Sequence, residues 1–307
     1  MNLQFLTIKW LDICVWGGLL MKKKIKLGIL ANNVVGEGNY LAEHGLSILI
    51  QIHDEDYQEN YLLDCGKEFS TLNHNMTEYG IKAKNYPLRA IILSHGHYDH
   101  IGGLKGLLES SKKKIPVIGH PDIFIPRISY VGGFRTISSP FQLEEIINAG
   151  GELLLSKDSV KINSFLRTTG EIPRNNIYEN NPDFRKVIEG KWLDDEVDDD
   201  LSLIIDVNEE SFFLFCGCCH AGLINTLERA KQLTGKSKCY GIIGGLHLVG
   251  ASKERIKYTI SELEKWNPEI LLPLHCSGKE AMCQLRDNFP GSTKLLNCGD
   301  SFTFEIM

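Results

Sequence analysis

An α/β fold is predicted by three features of this 307-residue chain. Short apolar runs rich in Ile, Leu, Val and Phe read as buried strands. Stretches with apolar residues three and four apart lie between them and read as helices. Several of the strand-like runs end directly in a histidine-bearing turn, where a rigid sheet can hold reactive side chains in place.

Taken in order, residues 25–30 and 46–52 are predicted strands, separated by a polar, glycine-containing loop over 32–39. Tyr61-Leu62-Leu63 is a third strand and runs into Asp64-Cys65-Gly66. Residues 68–84 place Leu72, Met76 and Tyr79 at the spacing of a helical core face. Residues 90–93 form a strand that delivers His95, and 101–108 form the helix that follows. A short strand at 115–118 leads into Gly119-His120-Pro121, where the proline holds His120 extended in an outer or structural position. Residues 124–200 are the least regular part and are expected to hold the loops that cover a site and select its substrate. Within them, the acidic run 194–200 is expected to be a solvated loop; EF-hand spacing is missing.

Residues 211–215 are a buried strand ending at Cys216-Gly217-Cys218-Cys219-His220, and a helix is predicted over 223–233. The plan repeats at 239–243, which ends in Gly244-Gly245-Leu246-His247. An amphipathic helix over 252–266 carries Ile256, Ile260 and Leu263 on one face. The last buried strand, 270–274, ends at His275, and Asn297-Cys298-Gly299-Asp300 precede an edge strand.

The composition is that of an ordinary soluble globular protein, with 43% hydrophobic and 23% charged residues. A net charge of −6 argues against a partner bound by bulk positive charge, so no nucleic acid is expected. Nine cysteines without regular spacing indicate reduced thiols and a cytoplasmic location. Residues 21–307 are expected to form a single domain, and 1–20 an appendage or an upstream start. That segment is apolar, but Lys9 and Asp12 interrupt it and the lysines follow it, so neither a secretory signal nor a stable membrane anchor is expected.

The stretch His95-Gly96-His97-Tyr98-Asp99-His100 packs four potential metal ligands into six residues. His95 and His97 can grip one metal from a loop that Gly96 lets bend, and Asp99 and His100 can turn toward a second. With Gly102-Gly103 behind it, this H-x-H-x-D-H pattern resembles the signature of the metallo-beta-lactamase superfamily. Further stretches resemble its branch of dihydropterin-related metal-dependent hydrolases: Glu43-His44-Gly45-Leu46-Ser47, Thr169-Gly170-Glu171-Ile172-Pro173-Arg174, Gly217-Cys218-Cys219-His220-Ala221-Gly222 and Gly244-Gly245-Leu246-His247-Leu248.

The resemblance implies an αβ/βα four-layer sandwich of two mixed sheets flanked by helices, with a binuclear site at one edge. It implies His95, His97 and His220 on one metal, and Asp99, His100 and His275 on the other. Zinc suits these ligands best, with Mn²⁺ or Fe²⁺ also compatible. Asp64 would orient a ligand histidine, or cap the following helix. Asp99, Asp64 and His247 are the candidate catalytic residues; Glu43, His44, Glu171 and Arg174 are the candidate substrate contacts. Glu171 stands where the wider superfamily has a histidine ligand, and the guanidinium of Arg174 suits a phosphate. Cys218 and Cys219 are expected to be small packing residues beside the site.

Three functions compete. One is hydrolysis of a phosphate-containing or cyclic ester small molecule, with the metals lowering the pKa of a bridging water to about 7. Another is transfer of a dihydropterin-methyl group from its diphosphate to an aryl amine, releasing pyrophosphate. The last is a non-catalytic metal-binding module.

Overall fold

A computed structural model describes residues 23–54, 57–130, 132–179 and 184–307. The expected appendage at 1–20 lies outside the described residues. Two mixed sheets dominate. The larger has seven strands in the order Ser301–Ile306, Lys23–Ala31, Ser47–His53, Gln58–Leu63, Leu88–Ile92, Ile115–Gly119 and Gly151–Leu155. Neighbours are antiparallel up to Gln58–Leu63 and parallel beyond it. The smaller has five strands in the order Ile270–Leu274, Lys238–Gly245, Ser211–Cys216, Ser202–Asp206 and Leu166–Thr168, of which the first three are parallel.

Period-two alternation decides which side each residue serves. Ile25, Leu27, Ile29, Tyr61, Leu63 and Ile92 meet Phe213, Phe215, Ile243 and Leu272 in a core shared by the two sheets. The intervening Leu30, Leu62 and Ile91 face outward, against Leu72 and Met76 of helix Phe69–Glu78 and Leu104 and Leu107 of helix Leu104–Ser110. On the opposite side Phe212, Leu214, Ile242 and Leu271 pack on helices Leu223–Thr234, Lys253–Trp266 and Lys279–Asn288. The layers therefore run helix, sheet, sheet, helix. Both sheets are covered on two faces, which is why their strands read as near-continuous apolar runs. Among the described residues no helix is long and apolar enough to cross a membrane.

The region read as loops, 124–200, departs from that expectation. It contains a third sheet of four short antiparallel strands, Lys191–Asp194, Phe184–Ile188, Arg127–Ser129 and Arg135–Thr136. Lys191–Asp194 is exposed along its whole length, so it lacks the apolar alternation by which strands are recognised.

The acidic run is also not the solvated loop expected of it. Asp195, Asp199 and Asp200 are buried, because Arg127 is buried with them. Arg127 Nε lies 2.8 Å from Asp195 Oδ2, and its Nη2 lies 2.7 Å from Asp199 Oδ1. The remaining carboxylate oxygens hold two other segments. Asp199 Oδ2 accepts the Gly96 N–H at 2.8 Å and Asp200 Oδ2 accepts the Ala221 N–H at 2.9 Å. This run therefore ties down both histidine-bearing turns at 95–100 and 217–222.

Candidate metal centre

Apart from His44, which precedes strand Ser47–His53, each histidine of the centre follows the C-terminal end of a parallel strand. Leu88–Ile92 delivers His95, His97 and His100; Ser211–Cys216 delivers His220; Lys238–Gly245 delivers His247; Ile270–Leu274 delivers His275. The two sheets face each other, so these ends converge. The turns are tight: Asp64, Cys219, His247 and His275 all have φ between 46° and 61°, a conformation seldom adopted by residues with a side chain and enriched at functional sites. Gly96 is required for a different reason. A Cβ there would lie 2.0 Å from the carbonyl oxygen of Ile123, so the loop passes too close to that backbone for any side chain.

His95, His97 and His220 bring ligand atoms within 4.8 Å of one another. His95 Nε2 is 3.0 Å from His97 Nδ1. Beside this trio, His100 Nε2 is 3.2 Å from His275 Nε2, and Asp99 Oδ2 is 3.4 Å from His275 Nε2. His44 joins the second group, with its Nε2 3.2 Å from Asp99 Oδ2.

The far side of several rings is fixed. Asp64 Oδ2 accepts from His100 Nδ1 at 2.6 Å and from Ser94 Oγ at 2.7 Å. Ser94 Oγ in turn lies 2.9 Å from His95 Nδ1, and Asn33 Oδ1 lies 2.7 Å from His275 Nδ1. Assigning the Nδ1 protons by these partners turns Nε2 of His95 toward His97, and Nε2 of His100 and His275 toward each other, the arrangement metal-binding imidazoles adopt. His97 Nε2 is buried without a hydrogen-bond partner. A buried polar atom left unmatched is costly, and a cation would satisfy it. The residues present therefore fit a metal.

The electrostatics agree. Burial, reinforced by neighbouring imidazoles, pushes His95 and His220 well below the usual histidine range. Burial does the same to His97, against the pull of Asp99. All three are neutral at pH 7, as a ligand must be. Burial lowers His100 too, but the carboxylates of Asp64 and Asp99 outweigh it and raise it to about 9. Burial would raise Asp99, yet His100 and His275 hold it well below the usual carboxylate range. Asp99 is thus ionised beside His275, and a cation bound at His100 Nε2 displaces a proton.

His44, His97, Asp99, His220, His247 and His275 line a cavity of about 450 Å³. The three other predicted substrate contacts lie elsewhere. Glu43 accepts the Lys67 N–H at 2.7 Å and the Glu68 N–H at 3.3 Å, so it anchors the loop ahead of helix Phe69–Glu78. Glu171 is 2.9 Å from His120 and 3.0 Å from Lys157, beside a separate pocket. Arg174 borders that same pocket, and its guanidinium donates to the carbonyls of His220 and Glu196. The neighbouring motif letters 169–174 gave no means of separating site-facing from backbone-supporting residues.

The structure adds Arg135, Arg255, Tyr178, Phe184 and Cys218 to the cavity wall. The arginines carried no motif. Cys218 sat in one, but which of two adjacent cysteines turns inward depends on backbone angles.

Asp64 makes a specific prediction. Asp64→Asn keeps the shape but loses the charge opposite His100, so metal affinity should fall roughly 10–100-fold, as for other groups that orient a ligand. Competition with a chelator measures this; an unchanged affinity would contradict the orienting role.

The chain matches the metallo-beta-lactamase superfamily over residues 42–200, and it belongs to that superfamily. Among its relatives is 7,8-dihydropterin-6-methyl-4-(beta-D-ribofuranosyl)-aminobenzene-5'-phosphate synthase of Methanocaldococcus jannaschii, 31% identical over 91% of this chain and 97% of the relative. An uncharacterized protein of the same organism is 33% identical over 84% of this chain and 92% of its own. The crystal structure of Tm1679, a metal-dependent hydrolase of the beta-lactamase superfamily, shares the fold: its TM-score is 0.75 at 22% identity, covering 91% of this chain and 98% of that one. The chain is therefore a metal-dependent enzyme acting on a small molecule.

Proposed function

We propose that this enzyme joins a dihydropterin to a phosphorylated aryl amine, as the name of its synthase relative describes. The observation that carries this reading is the composition of the cavity. Its volume suits a small organic molecule. Histidines and Asp99 form one wall, while Arg135 and Arg255 supply cationic groups and Tyr98, Tyr178 and Phe184 supply aromatic faces. Guanidinium groups fit phosphate and diphosphate oxygens, and aromatic faces stack on flat heterocycles.

In this reading His95, His97 and His220 hold one divalent cation, and Asp99, His100 and His275 hold the other, with His44 beside the second. Zinc is the ion these donors favour, and two such ions supply positive charge to a diphosphate leaving group. The residues do the rest. Arg135 and Arg255 bind the phosphates, Asp64 keeps His100 aimed, and the aromatic side chains align the two rings. The amine nitrogen forms a bond to the pterin methylene carbon as the bond from that carbon to the diphosphate oxygen breaks. His247, on the cavity wall, takes the amine proton, and pyrophosphate leaves. The short strands and loops within 124–200 contribute Ser129, Arg135, Ile137, Tyr178 and Phe184 to the cavity, in keeping with a substrate-selecting role.

Hydrolysis of a phosphate-containing or cyclic ester is the second reading. It is favoured by the half-exposed His44 side chain next to Asp99, which leaves water a route to the centre.

Incubation with a dihydropterin-methyl diphosphate and a ribofuranosylaminobenzene phosphate tests both. Mass spectrometry should find the joined product and one equivalent of pyrophosphate. Free hydroxymethylpterin without joined product would favour hydrolysis; no turnover of either kind would contradict both readings. Arg255→Ala should raise KM for the phosphorylated substrate roughly 10–100-fold, the loss of a hydrogen bond to a charged group. Glu171→Gln, in the separate pocket, should leave KM unchanged. Steady-state kinetics check this pair, and equal effects at both positions would contradict the placement of the anion.

A further inference from the structure

We infer that the separate pocket beside the 217–222 turn is a second small-ligand site, suited to a zwitterion of the amino-acid class. The inference stands apart from the two-metal reading and from the reaction proposed above.

The pocket has a volume of about 310 Å³ and shares no lining residue with the metal cavity. That is the size at which small-molecule sites begin. Most of the charge around it is already matched. Lys157 pairs with Glu171 at 3.0 Å, and Asp198 pairs with Lys186 at 2.6 Å. Arg174 gives its terminal nitrogens to the carbonyls of His220 and Glu196.

Two charged groups of the wall keep capacity to spare. Asp200 is buried. The backbone of His220 and Ala221 holds its carboxylate, with the Ala221 N–H on Oδ2 at 2.9 Å, and its Oδ1 has no hydrogen-bond partner. A buried polar atom left unmatched is costly, and a donor on a bound molecule would satisfy it. Arg229 stands on helix Leu223–Thr234 and donates from Nε to the Thr169 carbonyl at 3.2 Å. Its terminal nitrogens make no hydrogen bond or ion pair among the described residues.

This pairing selects the ligand. A metal ion does not fit, because among the described residues no three carboxylate or imidazole ligand atoms of this pocket come within 4.8 Å of one another. A simple anion would face Asp200, and a simple amine would face the guanidinium groups. A molecule carrying both charges meets both: its ammonium donates to Asp200 Oδ1 and its carboxylate takes the planar fork of Arg229. Ile172, Val197 and Ala221, all buried, give the apolar wall for a short aliphatic side chain.

Calorimetric titration of the zinc-reconstituted protein with glycine, L-alanine and L-valine tests this. At least one should bind saturably to a single site. Acetate and methylamine, which carry one charge each, should bind roughly 10–100-fold more weakly, the loss of a hydrogen bond to a charged group. Asp200→Asn and Arg229→Gln should each weaken the amino acid by a similar factor. No binding of any of the three would overturn the inference. Acetate or methylamine binding as tightly as the amino acid would overturn the zwitterion class. Binding unchanged by both substitutions would put the molecule elsewhere, the metal cavity included, and would overturn the site. If Asp200→Asn does not fold, a wild-type crystal soaked with the tightest of the three decides: density between Asp200 and Arg229 supports the inference, and an empty pocket overturns it.

Discussion

On the proposed two-cation reading, replacing His97 by alanine should abolish one bound cation and lower turnover by more than ~100-fold. Groups that merely orient a metal ligand are worth 10–100-fold, so removal of a direct ligand should exceed that range. His97 is the sharpest place to look. It is buried and neutral, and its Nε2 has no hydrogen-bond partner within the protein. Truncation therefore breaks no hydrogen bond of that atom, and the stability of the metal-free protein should change little by that route. Elemental analysis beside kinetics, with thermal unfolding of the apoprotein as the control, separates loss of metal from loss of fold. A His97→Ala protein with full metal content and near-normal turnover would contradict the assignment.

Arg127→Ala should be the most damaging single change to stability. Its guanidinium is buried between Asp195 and Asp199, both buried as well. Breaking a buried pair by removing one partner costs about 3–5 kcal/mol, because the remaining charge has lost its solvent without gaining a partner. Here two carboxylates would be stranded. Lys186 offsets this only partly, since its Nζ is 3.9 Å from Asp195 Oδ1. The effect should extend to function, because Asp199 also holds the Gly96 N–H and with it the loop bearing His95 and His97. Urea unfolding of the apoprotein measures the stability term, and metal affinity measures the second. Asp199→Asn, which keeps an acceptor for Gly96, should retain metal better than Arg127→Ala. A stability loss below about 1 kcal/mol, the range of an exposed pair, would contradict the account.

These two residues also mark where the sequence could be read and where it could not. His97 announces itself, because four potential ligands after a short apolar run are a local pattern, and local patterns survive without coordinates. His220, His247 and His275 were legible for the same reason: each closes a strand. Arg127 was invisible, since its partners lie 68 and 72 positions away and an acidic run looks the same solvated or buried. The short strands of the third sheet were missed because none alternates: three are exposed or half-buried, and the buried Arg127–Ser129 spans only three residues.

Motif membership was also an uneven guide to placement. Glu43 and His44 are adjacent, yet His44 reaches Asp99 while Glu43 turns back to the Lys67 and Glu68 amides. Glu171 and Arg174 share a motif whose side chains serve a neighbouring pocket and the carbonyl of His220. Which of two neighbours faces a site depends on backbone direction, and in this centre several turns have positive φ. No rule of composition or spacing supplies that.

The central claim is that the converging strand ends hold a two-metal centre. Crystals of the zinc-reconstituted protein, measured at the zinc absorption edge, address it most directly. The account predicts two anomalous peaks in the cavity, one among His95, His97 and His220 and one among Asp99, His100 and His275. A reconstituted crystal with no peak between these residues would contradict it.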